Sequence, residues 1–323
     1  MNGNAANRGQ LNAIFEDQGK EACQAALDAT FRLSPDKAVA LLIEEELSYP
    51  CFYALLPRIS ALNLHPYVSS NAKVAAAITE RIVNPNASAE PNYLKGRHDF
   101  VHSALKWMLL TGWESDQDAD MRMALDAAAS TLINTYQDND ALKTVCDMLM
   151  RRSVKGYNTH YLVWAYFHTH NPASISLMAE YLRSADPAEH RFAAGLLHAN
   201  EAGKKTGTYE DYLHWLHEND PFLYFTDESP QYTANPRAYK VDLERKYLNK
   251  KSDSHDKTPA IPEDEEEEAA LAAFMACNEE DMALLSEHSQ MLCKNNPARW
   301  RSWIRSPIEA QMREAQRDKG GSK

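Results

Sequence analysis

Glycine is scarce in this chain, 11 in 323 residues. That works against a fold made of many tight β turns and against glycine loops wrapped around phosphates. No P-loop, GxGxxG, GxSxG or paired zinc spacing occurs, so the familiar nucleotide-binding, hydrolase and zinc-finger motifs are missing. The five cysteines, Cys23, Cys51, Cys146, Cys277 and Cys293, lie far apart and form no CxxC pair. Neither a disulfide framework nor a cysteine zinc site is implied, and a reducing cytoplasm is the expected location. No apolar run reaches the roughly eighteen residues of a membrane span, and the start, MNGNAANRGQLNAIF, lacks the charged-then-apolar layout of a secretory signal. A soluble, cytoplasmic protein is expected.

Basic charge is also in short supply. Lys and Arg number 34 against 46 Asp and Glu, for a net charge of −12. The distribution is uneven: residues 263 to 287 hold ten acids and no Lys or Arg, whereas 294 to 323 hold eight bases and three acids. The rest of the chain is mildly acidic and carries no basic stripe, so no nucleic-acid partner is expected, because phosphate neutralisation supplies most duplex affinity.

What remains is helix, and its clearest statement is Asn171 to Asn200, NPASISLMAEYLRSADPAEHRFAAGLLHAN. Asn171 can cap a helix whose first position is Pro172, where a missing N–H costs nothing. Ile175, Met178, Ala179 and Leu182 follow at i, i+3, i+4 and i+7 and share one face. Asp186 can cap a second helix, again with proline next, and Glu189 lies three residues later, in reach of the cap's own N–H. The order Asp186-Pro187, Arg191, Ala193-Ala194, Leu196-Leu197 behind an amphipathic helix resembles the second half of a HEAT repeat. The resemblance covers about thirty residues; it implies stacked hairpins that bind partners along a groove, and it transfers no functional residue.

The same punctuation recurs upstream. Leu11–Leu33, a helix opened by Ser34-Pro35 and stopped by Tyr49-Pro50, Cys51–Leu62 with Pro57 inside, and residues 68–83 read as successive helices, with Val39, Leu42 and Ile43 on one buried face. After a loop from Asn84 to Pro91 come Tyr93–Trp113, Asp120–Tyr136, Asp140–Met150 and the aromatic Tyr157–His170. The predicted fold class is all-α, a HEAT-like α-solenoid or a compact multi-helical array, over residues 1–202.

Beyond it, 203–249 contains a short helix at Tyr209–His217 and then mixes aromatics with Pro221, Pro230 and Pro236. This is too aromatic for a solvated linker and too rich in proline for one helix. Phe222, Leu223, Tyr224 and Phe225 are its expected anchors. Residues 250–268, ending in six consecutive acids, have the composition of an acidic flexible linker. Residues 269–323 form the last expected unit, a C-terminal helical pair and a polar tail, the second helix starting at Asn296-Pro297.

The candidate partner-binding residues are the aromatics and arginines of these two segments: Phe222, Tyr224, Phe225 and Tyr232, then Trp300 and Trp303 with Arg299 and Arg301. Trp300 and Trp303 share a helix face, which can meet a partner or fold back on the chain itself.

Catalytic and cofactor motifs are weak. His98-Asp99, with His65 before and Asp126 after, resembles the metal-binding set of HD-type phosphohydrolases, but Lys95-Gly96-Arg97 stands where that family has an apolar helix run. His98 and His102 are one helical turn apart without an HExxH glutamate. His214 and His217 with Glu210 and Glu218, and His160, His168 and His170, read as packed or surface residues. The sequence therefore implies a non-catalytic scaffold or adaptor holding a protein partner, in one version a basic protein neutralised by acidic surface, as an immunity protein or inhibitor does. The competing reading is a metal-dependent phosphohydrolase centred on His98 and Asp99. No catalytic residue, cofactor or metal ligand is assigned.

Overall fold

A computed structural model of the chain describes residues 9–44, 47–84, 98–200, 208–252 and 255–321. The expected frayed start at 1–8, most of the loop from Asn84 to Pro91 and the beginning of the expected helix at Tyr93 lie outside the described residues. The fold is all-α and multi-helical, with one two-stranded ladder among the described residues. No described helix is long and apolar enough to cross a membrane. The chain divides into two compact units, Met1–Thr169 and His170–Lys323.

The first unit contains α1 (Gln10–Gln18), α2 (Lys20–Leu33), α3 (Pro35–Glu44), α4 (Tyr49–Ala61), α5 (Ser70–Val83), α6 (Asp99–Gly112), α7 (Ala119–Ser130), α8 (Ala141–Val154) and α9 (His160–Phe167). The helix expected over Leu11–Leu33 is two helices, because Gly19 adopts φ +87° and breaks the rod. Tyr49-Pro50, expected to stop a helix, instead starts one: Ser48 accepts the Cys51 N–H and Pro50 occupies the first turn, where its absent N–H is harmless. Ala38 and Leu42 are buried on α3 while Ile43 is exposed, so the buried face is rotated from the expected one. Helix α7 runs into one π-helical turn, Thr131–Thr135, before α8 begins.

The core of this unit is assembled around Tyr49. Its ring meets Trp107 edge-on with centroids 5.8 Å apart, and its hydroxyl is 2.9 Å from that of Thr79. Trp107 in turn donates its indole N–H to the Leu47 carbonyl at 3.0 Å. Each large apolar side chain closed off in this way contributes about 1.5–3 kcal/mol, provided its polar tip is satisfied. The hydrogen bond of the Tyr49 hydroxyl is therefore what permits its full burial, and Trp107 is partly buried beside it.

The second unit contains α10 (Ala173–Ala179), α11 (Pro187–Leu196), α12 (Tyr209–Asn219), β1 (Leu223–Phe225), β2 (Tyr239–Val241), α13 (Leu243–Tyr247), α14 (Glu265–Met275), α15 (Glu279–Asn295), α16 (Pro297–Ile304) and α17 (Ile308–Gly321). The Asn171–Asn200 hairpin thus belongs with the C-terminal part of the chain. The aromatic segment expected to be irregular is partly an antiparallel ladder, with Leu223 opposite Val241 and Phe225 opposite Tyr239.

The six acids of the expected linker do not dangle. Asp264 caps α14 by accepting the Glu267 N–H, so the next four glutamates fill the helix's first turn, where the positive end of the helix dipole favours them. Glu267 is buried and meets Lys250 at 3.2 Å, and Arg305 reaches Asp264 at 2.8 Å and Glu266 at 3.0 Å. The C-terminal pair is four helices, α14 to α17, because the polar stretch after Ile308 is itself helical. They enclose a core of Tyr247, Phe274, Leu285, Leu292, Trp303 and Ile304.

Candidate functional site

Helices α10 and α11 are set by well-defined starts, and α11 carries an open groove on its outer side. Asn171 accepts the Ala173 N–H at 2.9 Å and Asp186 accepts the Ala188 N–H at 2.8 Å, fixing both helix starts. The expected direct reach of Glu189 to the cap is replaced by a relay. The Asp186 N–H donates to the Ser184 hydroxyl at 3.1 Å, and that hydroxyl donates to Glu189 at 2.5 Å. Ile175, Met178, Ala179, Leu182, Ala193, Ala194 and Leu197 are buried, which leaves Arg191 and Gly195 exposed on the other side of α11.

That outer side forms an open groove of about 490 Å³ lined by His190, Arg191, Ala194, Gly195, His198, Asn200 and Asn235. Its far wall is held by the chain after β1. His198 Nε2 donates to the Pro236 carbonyl at 2.9 Å, and the Tyr239 hydroxyl donates to the Leu197 carbonyl at 3.0 Å. Tyr212 hydrogen-bonds Tyr239 from beneath, and burial holds the Tyr212 hydroxyl well above its ordinary pKa, so it stays a neutral strut. Ala194 and Gly195 leave the groove open, and a Cβ added at Gly195 meets nothing within 4 Å. Among the described residues, arginine, two histidines and two amides surround that opening without a carboxylate.

Beside the ladder, His170 bonds Asp256 through Nδ1 at 2.6 Å and Asp227 through Nε2 at 3.0 Å. His255 lies 3.3 Å from Asp220. A second convergence of metal-ligating groups, His288, Glu314 and Asp318, joins α15 to α17.

The sequence-predicted partner residues separate into three kinds. Phe222 and Phe225 are core residues, 1 % and 4 % exposed, and Trp303 is likewise buried at 4 %; all three anchor the unit from inside and are closed to a partner. Tyr224 is half-buried beneath the Lys257 ammonium, Trp300 donates its indole N–H to Ser289 at 2.8 Å, and Arg299 is engaged by Glu314 at 2.5 Å. Tyr232, 89 % exposed, and Arg301 face solvent. The Trp300–Trp303 face therefore folds back on its own unit.

The set proposed for a hydrolase centre is dispersed into other pairings. His98 precedes α6 and stacks on Phe100 with centroids 5.6 Å apart. His65 bonds Ser60 at 2.9 Å, Asp126 is bound by Arg152, and His102 meets Asp138 at 2.8 Å. Among the described residues, His98 and Asp99 belong to no cluster of three metal-ligating groups. His214, 3.7 Å from Glu218, is exposed on α12.

The groove residues His190, His198, Asn200 and Asn235 were not singled out from the sequence. Three of them lie in the best-punctuated hairpin, but their convergence with Asn235 depends on a chain return that no local pattern encodes. No family model, curated protein or solved structure matches this chain.

Proposed function

We propose that this chain is a non-catalytic helical binding protein that holds a segment of a protein partner in the groove along α11. The observation that supports this reading is the groove's lining: an open floor at Ala194 and Gly195, ringed by Arg191, His190, His198, Asn200 and Asn235. Arg191 and the amides of Asn200 and Asn235 in that ring can donate to backbone carbonyls and acidic side chains, as peptide-recognising grooves do. Tyr232, three residues before Asn235 in the same loop, is exposed and offers a further amphipathic contact. With a net charge of −12, a protein segment suits the molecule better than nucleic acid.

The version with a basic partner rests on Glu265, Glu268, Glu279 and Glu280, all exposed; it weakens to the extent that Lys250 and Arg305 already neutralise Glu263, Asp264, Glu266 and Glu267. The test is a quantitative pull-down from source cells with the full chain and with Gly195→Trp and Arg191→Glu. The Gly195 Cβ position is open within 4 Å, so Gly195→Trp directs an indole into the groove. A partner lost with both variants supports the groove; a partner retained by both, or none captured at all, overturns it. A partner retained only at low salt and lost from a variant of the four exposed glutamates favours the acidic-surface version.

A further inference from the structure

His288 sits on α15 and is 5 % exposed, its ring edge-on to Trp303 with centroids 5.1 Å apart. Its Nε2 is buried without a hydrogen-bond partner, an arrangement that ordinarily costs about 1–3 kcal/mol. That nitrogen points toward α17, 3.9 Å from Glu314. Glu314 and Asp318 are one helical turn apart and share the face toward it. One ligand atom from each of the three side chains lies within 4.8 Å of the others. Two arginines already meet these carboxylates: Arg299, 2.5 Å from Glu314 and 4.0 Å from Asp318, and Arg317, 3.4 Å from Asp318; the Arg299 side chain is half exposed and that of Arg317 largely so.

We propose that His288 Nε2, Glu314 and Asp318 bind a divalent transition-metal ion of the zinc type, which takes the place of the Arg299 guanidinium. A tetrahedral zinc ion with its usual bond lengths sets its donor atoms roughly 3.3 Å apart, so the three side chains need only small adjustments to close on it. Two carboxylates and a neutral imidazole balance the dication, and the imidazole selects zinc-like ions over magnesium or calcium, which prefer all-oxygen sites. Burial lowers the His288 pKa against the pull of Asp318 and Glu314, which keeps the nitrogen lone pair available at neutral pH. The fourth position is left to water. The ion would bridge α15 to α17, and binding would therefore stabilise the second unit as well.

The experiment is calorimetric titration of the tag-free, EDTA-dialysed full chain with zinc chloride, with cobalt(II) absorption as an independent report of coordination. One equivalent bound at micromolar affinity or tighter is expected, with a rise in Tm. Asp318→Asn and His288→Gln should each weaken binding by about 10-fold or more; Asp318→Asn, on a partly exposed residue, guards against the case in which the buried histidine variant misfolds. Arg299→Gln should tighten binding, because it removes the cation that meets both carboxylates. Absence of a one-equivalent event in both the unaltered chain and Arg299→Gln overturns the proposal, as does zinc binding that Asp318→Asn leaves unchanged.

Discussion

The imidazole of His170 lies flat on the ring of Phe225, with centroids 5.3 Å apart and planes 5° from parallel, while Asp227 and Asp256 take its two nitrogens. Burial works to lower the His170 pKa, but the hydrogen bonds and charges of the two carboxylates outweigh it, and the value lies above the ordinary 6.5. Because the folded value is the higher one, the stabilisation is complete below the unfolded pKa and is lost as pH rises through the folded pKa. The Tm difference between the unaltered chain and His170→Gln should therefore be larger near pH 6 than near pH 9. A difference independent of pH would show that His170 acts by stacking alone.

Lys246 is fully buried, its ammonium donating to Asn219 at 2.6 Å and to Glu287. Burial pulls its pKa below 10.5, and Glu287 only partly restores it. A depressed lysine carries a cost wherever it is charged, so its stabilising contribution is present only above the unfolded pKa and falls away as pH drops through the folded one. At neutral pH, Lys246→Met should leave Tm unchanged or raise it. Glu287→Gln should lower it, by about 1–3 kcal/mol of stability, because the buried charge remains while its counter-ion goes. Equal losses from both variants in urea unfolding would contradict this sign.

How far such features were legible depends on how local they are. Asp186-Pro187, Ser34-Pro35 and Asn296-Pro297 announce helix starts because capping acts within a few residues, and the all-α class follows from that punctuation. The acidic run has the local composition of a linker, and the ion pairs that tie it down, to Lys250 and Arg305, are not local to it. The sequence leaves Trp303 two fates, a partner or a fold-back on its own chain; its burial is decided by Tyr247 and His288, which arrive from other helices. The α11 groove and the His288 cluster are tertiary in the same sense.

Asp126 and Arg152 form the corresponding buried pair of the first unit, Arg152 being 3 % exposed and also donating to the Arg122 carbonyl at 3.2 Å. Burial lifts the Asp126 carboxyl to about 6 despite the attraction of Arg152. Asp126→Ala leaves an uncompensated guanidinium in the core and should cost about 3–5 kcal/mol. Asp147→Ala, which breaks the more exposed pair with Lys143 on α8, should cost under about 1 kcal/mol. Chemical denaturation of the two variants side by side checks the contrast, and similar losses would mean that Arg152 finds water or another acceptor.

Gly19 separates α1 from α2 with φ +87° and ψ −174°, a region of backbone space that a side chain makes expensive. A Cβ there meets nothing within 4 Å, so any penalty for Gly19→Ala comes from the backbone alone. It should amount to about 1–3 kcal/mol, outweighing the fraction of a kcal/mol gained by restricting the unfolded chain. The break is what folds α1 back beside α2, where the Cys23 thiol reaches the Leu11 carbonyl at 3.5 Å and lies 3.7 Å from the Cys51 sulfur. A single straight helix over Leu11–Leu33 would pull Leu11 away from Cys23 and expose both. Thermal unfolding followed by circular dichroism separates the cases: a lower Tm for Gly19→Ala with unchanged helicity supports the break. A higher Tm with added helicity would mean that the two helices merge at little cost and that the packing of Leu11 on Cys23 contributes less than the backbone does.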